Sequence, residues 1–273
     1  MPESPEVQAL VEFLDERVRD RAVAAVEGID PRVVKTRDRP PAELVGARIS
    51  GVRRFGKYLG IDTGAGWLAI SFGRNGWIRW NPSETDPGVA GMPLGRLVLN
   101  DGAVVELVET GDFLAVSLWV VSDPAEVAGI AALGPDPISD TFAPDDLDRS
   151  LGRRRKQIKA LLQEQQSLAG IGNGYSDEIL HAARLAPTIH AAVLSDDERA
   201  RLYEAATGVL RGAVADRRGV APALLKKTKA AAMTVHGRGG SACPVCGTTI
   251  VDTVFAGASA QLCPNCQPAG ATT

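Results

Sequence analysis

The chain has 273 residues, 45% of them hydrophobic and 23% charged, with a formal net charge of -3. That is the balance of a globular protein with room for two or three domains and a good core. It holds no apolar run long enough for a membrane helix, and Met1-Pro2-Glu3-Ser4 is not the cationic start of a signal peptide, so no membrane partner is expected and a cytoplasmic location is.

Ser4-Pro5-Glu6 predicts a helix start, with a capping serine, proline in the first turn and an acid near the positive end. Val7, Leu10, Val11, Leu14 and Val18 follow at helical spacing. From about 45 to 122 the pattern turns to short β-rich runs, Ile49–Val52, Tyr58–Asp62, Trp67–Phe72, Arg96–Leu99, Val104–Val108 and Leu114–Val121, punctuated by Gly, Asn and Asp. Asn100-Asp101-Gly102 reads as a hairpin turn. These runs predict an antiparallel β-sandwich or barrel with the first helix packed on it. Leu133-Gly134-Pro135-Asp136-Pro137 reads as a linker. Beyond it the pattern is helical to about 218, with helices expected over Arg155–Leu168 and Glu198–Val214.

Bases gather at Arg153-Arg154-Arg155-Lys156 with Lys159, at Arg217-Arg218 and at Lys226-Lys227-Thr228-Lys229, so one face can be basic on a chain that is acidic as a whole. Gly170-Ile171-Gly172-Asn173-Gly174-Tyr175 lies between two helices. Backbone N–H groups in such a turn can grip a phosphate, although a plain helix connection would look the same. The four cysteines form two pairs, Cys243-Pro-Val-Cys246 and Cys263-Pro-Asn-Cys266, sixteen residues apart. Two such knuckles complete a tetrahedral zinc site with no open position, so one structural Zn2+ is expected rather than two disulfides or four idle thiols. The tail from Pro268 to Thr273 reads as frayed.

Five motifs, in order, resemble the formamidopyrimidine-DNA glycosylase and endonuclease VIII family. They are Met1-Pro2-Glu3-Ser4-Pro5-Glu6-Val7, Arg53-Arg54-Phe55-Gly56-Lys57-Tyr58-Leu59, Leu133 to Pro137, Gly170 to Glu178, and Val235-His236-Gly237-Arg238 before the zinc knuckles. The resemblance runs nearly end to end. It implies an α+β multidomain fold: an N-terminal antiparallel β-sandwich with a flanking helix (1–132), a helix–two-turn–helix domain (133–235) and a C-terminal zinc β-hairpin with its tail (236–273). It also implies a DNA base-excision repair glycosylase with abasic-site lyase activity, acting as a monomer in the cytoplasm at the bacterial nucleoid. Its partner would be damaged double-stranded or single-stranded DNA.

The chemistry accounts for the N-terminal motif. With Met1 removed, Pro2 presents a secondary amine, and an α-amino group near pKa 8 keeps a useful neutral fraction at neutral pH. That amine can attack the sugar C1′ of a flipped nucleotide, expel the base and leave an iminium adduct, after which elimination cuts the strand. The resemblance gives Glu3 the proton transfers, Glu6 support of the amine and sugar, and Lys57 a phosphate near the lesion. It gives Asn173, with Gly172, Tyr175, Lys159 and Arg238, contacts to the DNA backbone. An inactive or narrowly lytic DNA-binding protein on the same scaffold is the alternative, and the survival of Pro2, Glu3 and Glu6 speaks against it.

The chain departs from the family in recognition. Where the family often reads His-Leu-Gly-Met-Ser-Gly, here stands Ser71-Phe72-Gly73-Arg74-Asn75-Gly76, so Arg74 is the expected wedge, helped by Phe72 or Trp77. Glu109-Thr110-Gly111-Asp112-Phe113 stands in place of Asp-x-Arg-Arg-Phe, without the arginine for the orphaned base. The hairpin arginine is replaced by Ala258, in the tip Ala256 to Gln261. Gln261, Lys226, Lys227 and Lys229 are the candidates to compensate. The segment Ala221 to Thr234 is too short for the family's long loop over oxidised guanine, so 8-oxoguanine in duplex DNA is expected to be a poor substrate.

Overall fold

A computed structural model describes residues 2–81, 89–255 and 257–268; Met1, Ala256 and residues 269–273, on which part of the reading above falls, lie outside them. The chain divides into two compact units, one of residues 1–132 with 217–226 and the other of residues 133–216 with 227–273.

The first unit opens with α1 (Ser4–Val18). Its cap is Glu3, not Ser4. Glu3 is extended (φ -116°), and Glu6, three residues on, accepts the Glu3 N–H at 3.0 Å. The Glu6 carboxylate thus reaches back to the backbone just ahead of the helix, and Ser4 and Pro5 become the first helical residues. Among the described residues eight strands follow: β1 (Val23–Glu27), β2 (Gly51–Phe55), β3 (Tyr58–Asp62), β4 (Trp67–Ser71), β5 (Gly76–Trp80), β6 (Met92–Leu99), β7 (Val104–Glu109) and β8 (Ser117–Val121). They form two antiparallel sheets, β1-β6-β7-β5 and β2-β3-β4-β8. The expected hairpin turn joins β6 to β7, where the Gly102 N–H donates to Leu99 O and φ at Gly102 is +86°. Leu10 and Leu14 of α1, with Leu59, Ile61, Trp77 and Val108, sit in one continuous core. A short helix, α2 (Ala128–Ala131), ends the segment.

The second unit holds α3 (Pro144–Leu151), α4 (Ile158–Gln163), α5 (Asn173–Ala183) and most of α6 (Asp196–Arg217). Helix α7 (Pro222–Ala232) and a hairpin of β9 (Val251–Phe255) and β10 (Ala258–Leu262) complete the chain. The helix expected over Arg155–Leu168 is cut to the six residues of α4. Gln157 bridges His190 as a strand would, and the Glu164 carbonyl accepts from Ser167 and Leu168 in a closing turn. Leu161, Tyr175, Ile179, Leu202 and Leu210 carry this unit's own core.

Candidate active site and nucleic-acid interface

The N-terminal constellation is built by α1 and the β2–β3 turn. Pro2, Glu3 and Glu6 are all buried. Gly56 takes φ +54° as the first central residue of a two-residue hairpin, the turn geometry that matches strand twist, and so places Lys57 at the tip. Arg54 ties this tip to the helix: Nε donates to Gln8 Oε1 at 2.9 Å, and Nη1 donates to Gly56 O at 3.1 Å and to Ser4 Oγ at 3.4 Å. The lysine of the motif is thus set by its neighbouring arginine, a link that spacing alone does not reveal.

Two exposed loops lie beyond β4 and β7. Arg74 is exposed at the tip of the turn between β4 and β5, where Gly73 has φ +54° and a Cβ on it would collide with Ala115. Phe72 and Trp77, expected to help the wedge, do not. Both are buried in the core as a tilted pair 6.5 Å apart, and Trp77 Nε1 donates to Pro222 O at 2.9 Å. The exposed aromatic is instead Phe113 of the Glu109–Phe113 segment, 83% exposed beside an exposed Asp112. Its loop is braced. Glu109 accepts the amides of Gly111 and Ala115, both at 3.1 Å, and Asn75 O accepts the Thr110 hydroxyl at 2.7 Å. Lys226 Nζ donates to Thr110 Oγ1 at 2.8 Å and lies 4.9 Å from the Trp77 ring centre. Burial pushes the Lys226 ammonium below its usual range, opposed by Glu109. Lys226 therefore braces a loop rather than replacing the missing hairpin arginine.

In the second unit, two adjacent carboxylates on α5 organise the turn and the zinc hairpin. Glu178 accepts three successive amides, Thr234 and His236 at 2.8 Å and Val235 at 2.9 Å. Asp177 takes Lys159 Nζ on one oxygen, and on the other the Gln261 amide at 3.3 Å and His236 Nδ1 at 2.7 Å. Lys159 is completely buried and also donates to Ser176 Oγ at 2.9 Å, so it acts as an internal strut and presents no charge to the solvent. Asn173 begins α5 after the capping Gly172. Its Nδ2 donates to Ser259 O at 2.6 Å and its Oδ1 accepts Gln163 Nε2 at 3.2 Å. Tyr175 is buried with Lys229 Nζ 4.7 Å from its ring centre. Arg238 is exposed, and its guanidinium donates to Met233 O at 3.2 Å and Ala231 O at 3.1 Å, closing the end of α7. Gln261 is also committed inward: Oε1 accepts the Gly237 amide at 3.0 Å, while Nε2 donates to Asp252 and Ser259, both at 2.8 Å. It is not available as a stand-in for the arginine missing at exposed Ala258. Of the four compensating candidates only Lys227 is exposed.

The four cysteine sulfurs lie within 4.8 Å of one another, with pairs at 3.4, 3.5 and 3.9 Å. Bonds of about 2.3 Å at tetrahedral angles require sulfur separations of roughly 3.8 Å, so the cage fits one zinc ion. Without the ion the thiols do not ionise together. Hydrogen bonds from Thr248 pull exposed Cys246 down to about 5, whereas burial pushes Cys266 up to about 12. His181 of α5, missed in the sequence, stands with Nε2 3.3 Å from Cys243 Sγ, and burial lowers its pKa, so a neutral imidazole meets the ligand sulfur.

Three family models match: the formamidopyrimidine-DNA glycosylase N-terminal domain over residues 1–116, the helix–two-turn–helix domain of the same enzymes over 133–222, and the zinc finger found in FPG and IleRS over 240–269. A protein with this tandem of domains and this cysteine cage is a zinc-containing DNA glycosylase in class. The chain belongs to the formamidopyrimidine-DNA glycosylase family. It is 34% identical to the Geobacter sulfurreducens formamidopyrimidine-DNA glycosylase, over 98% of this chain and all of that one. Among solved structures it resembles the MutM (Fpg) protein of Thermus thermophilus (TM-score 0.83, 31% identity, 98% of this chain and 100% of that one). It has the fold of Lactococcus lactis Fpg in complex with abasic-site DNA (TM-score 0.86, 24% identity, with the same coverage). The cage holds one structural zinc, as the zinc-finger match and the cysteine geometry agree. Among the described residues no helix is long and apolar enough to cross a membrane.

Proposed function

We infer that this protein removes damaged bases from DNA and cleaves the strand at the resulting abasic site, with Pro2 as nucleophile. The observation that carries the reading is the capped start of α1: Pro2 is buried immediately before Glu3, whose amide is held by Glu6 at 3.0 Å. In this reading Met1 is removed and the neutral Pro2 amine attacks C1′ of a flipped nucleotide. The C1′–N bond breaks and the base leaves with a proton from Glu3; the Pro2 N–H proton then passes through the Glu3 carboxylate to O4′ as the C1′–O4′ bond opens, which leaves an iminium between Pro2 and C1′. Loss of a C2′ proton to Glu3 then expels the 3′ phosphate, and water releases the enzyme. Lys57, at its hairpin tip, neutralises a phosphate beside the lesion. Arg74 and Phe113, both exposed, fill the space left by the flipped nucleotide. Asn173 holds the DNA backbone by exchanging Ser259 O for a phosphate oxygen, flanked by Gly172, Tyr175 and Arg238; Lys159 supports them from inside.

Residues 222–232 form a helix with Leu225 buried in the first unit's core, which leaves little chain for a loop over an oxidised purine. This supports a preference away from 8-oxoguanine in duplex DNA. Action at the nucleoid in the cytoplasm fits four thiols kept for zinc. The test is a panel of duplexes and single strands, each with one oxidised, ring-opened or abasic site. Base release followed by strand cleavage is expected, and both are lost in Pro2→Gly when Met1 is retained ahead of it. Binding without base release or cleavage on any substrate would return the protein to the inactive-scaffold reading.

A further inference from the structure

Glu6 is met by the segment that returns to the first unit at Arg217–Lys226. Arg217, the last residue of α6, is 1% exposed, and its Nε lies 2.9 Å from Oε1 of Glu6, also 1% exposed. The other oxygen of the same carboxylate accepts the Glu3 amide, one peptide bond from Pro2. One carboxylate is thus divided between a buried guanidinium and the backbone that carries the nucleophile. Two further contacts hold the returning segment in the first unit: Arg218 Nε lies 3.3 Å from Glu12 Oε2, and Pro222 O accepts Trp77 Nε1.

A buried ion pair is a poor way to gain stability, because desolvation of both charges offsets their attraction. What it does supply is a fixed orientation. We propose that Arg217 is a positioning residue for the imine chemistry: it fixes the Glu6 carboxylate, and through it the Glu3 amide and the Pro2 amine. Glu6 then serves as a fixed anchor for the backbone at Glu3, and the proton transfers fall to Glu3. The inference rests on the Pro2 reading given above, and extends it by making the active end of the chain depend on the last residue of α6.

The experiment uses zinc-loaded full-length protein and an abasic-site duplex, reading the single-turnover rate of borohydride-trapped adduct and the DNA concentration for half-saturation. Melting temperature and zinc content report folding. Arg217→Met is expected to slow trapping by about 100-fold, the scale of a roughly 1 Å misplacement, with half-saturation unchanged. Arg217→Lys, which keeps charge but not the planar fork, is expected to recover about tenfold of that loss. Glu6→Gln combined with Arg217→Met is expected to be no slower than the slower single variant, since the pair acts as a unit. Wild-type trapping rate in folded Arg217→Met overturns the proposal, as do losses that multiply in the double variant. If Arg217→Met does not fold, Arg217→Lys decides, and a wild-type rate there overturns it equally. No adduct with wild type overturns the Pro2 reading and this inference together, whereas wild-type adduct with unaffected Arg217 variants overturns this inference alone.

Discussion

Lys159 stands in a basic cluster and was expected on the DNA backbone; its burial gives it a different task, which Lys159→Met separates. Lys159 and Asp177 are 0% and 1% exposed and in direct ionic contact. Breaking a buried pair from one side costs about 3–5 kcal/mol, because the remaining charge is left uncompensated. The low end, about 3 kcal/mol, applies here, since Asp177 Oδ2 keeps His236 and the Gln261 amide. Lost bonds from Nζ to Ser176 and Asn173 O add to the effect. Because Asn173, Gln261 and Asp177 share one network, the damage spreads from α4 to the hairpin. The assay is urea unfolding of the zinc-loaded protein, followed by amide exchange in α5 and β10, with the salt dependence of DNA binding measured in parallel. The expected result is a lower midpoint, faster exchange in both elements and an unchanged salt slope, with Asp177→Asn restoring part of the loss in the double variant. An unchanged midpoint with a salt slope reduced by about 0.9 would refute the reasoning, since that is the signature of one lost phosphate contact.

Zinc removal by a chelator is expected to unfold the hairpin and release zinc more slowly from wild type than from His181→Phe, which cannot donate to Cys243; a metal-sensitive dye measures both, and equal release rates would count against the His181 contact. Rebinding zinc should release protons at neutral pH, because Cys266 sits near 12 without it. Glu164 is held down to about 2, chiefly by Arg154, then Ser167 and Lys156, against an ordinary 4.5. Its folded pKa is depressed, so its contribution is complete above about pH 4.5 and is lost as pH falls through 2. The 2.5-unit difference (4.5 less 2) sets a ceiling of about 3.4 kcal/mol, and its 25% exposure reduces this to roughly 1–2. Glu164→Gln should therefore lower stability at pH 7 and not at pH 2 in urea titrations. Phe113→Ala and Arg74→Ala should each slow excision from duplex DNA by about tenfold or more while sparing single-stranded substrate, where no stack has to be filled; equal effects on both substrates would remove the wedge role.

The sandwich, the linker and the cysteine cage were legible because each follows from local rules: alternating apolar runs, turn residues and metal-ligand spacing. Strands β1 and β5 were not. Val23-Ala24-Ala25-Val26 carries little β preference, and β5 is defined by its partner β7 rather than by its own pattern. The expected helix at Arg155–Leu168 failed because Glu164 is drawn into ion pairs with Arg154 and Lys156 across a turn, a tertiary demand that overrides helical periodicity. In the site, Pro2, Glu3, Glu6 and Lys57 could be named from motif, but what each touches could not. Arg54 on Ser4, Arg217 on Glu6 and His181 on Cys243 join residues remote in sequence, and no spacing announces them. Lys159 and Gln261 were read by charge and polarity as surface groups. Burial assigns them inward, and Lys226 is half-buried as a brace on Thr110.

The most direct test of the central claim is intact-mass analysis of the protein after borohydride treatment with an abasic-site duplex, followed by peptide mapping. The account predicts a single covalent sugar adduct on the nitrogen of Pro2, in a chain lacking Met1, and no adduct at that position in Pro2→Gly when Met1 is retained. An adduct on a lysine side chain instead, or DNA bound with no adduct in a chain shown to begin at Pro2, would contradict it.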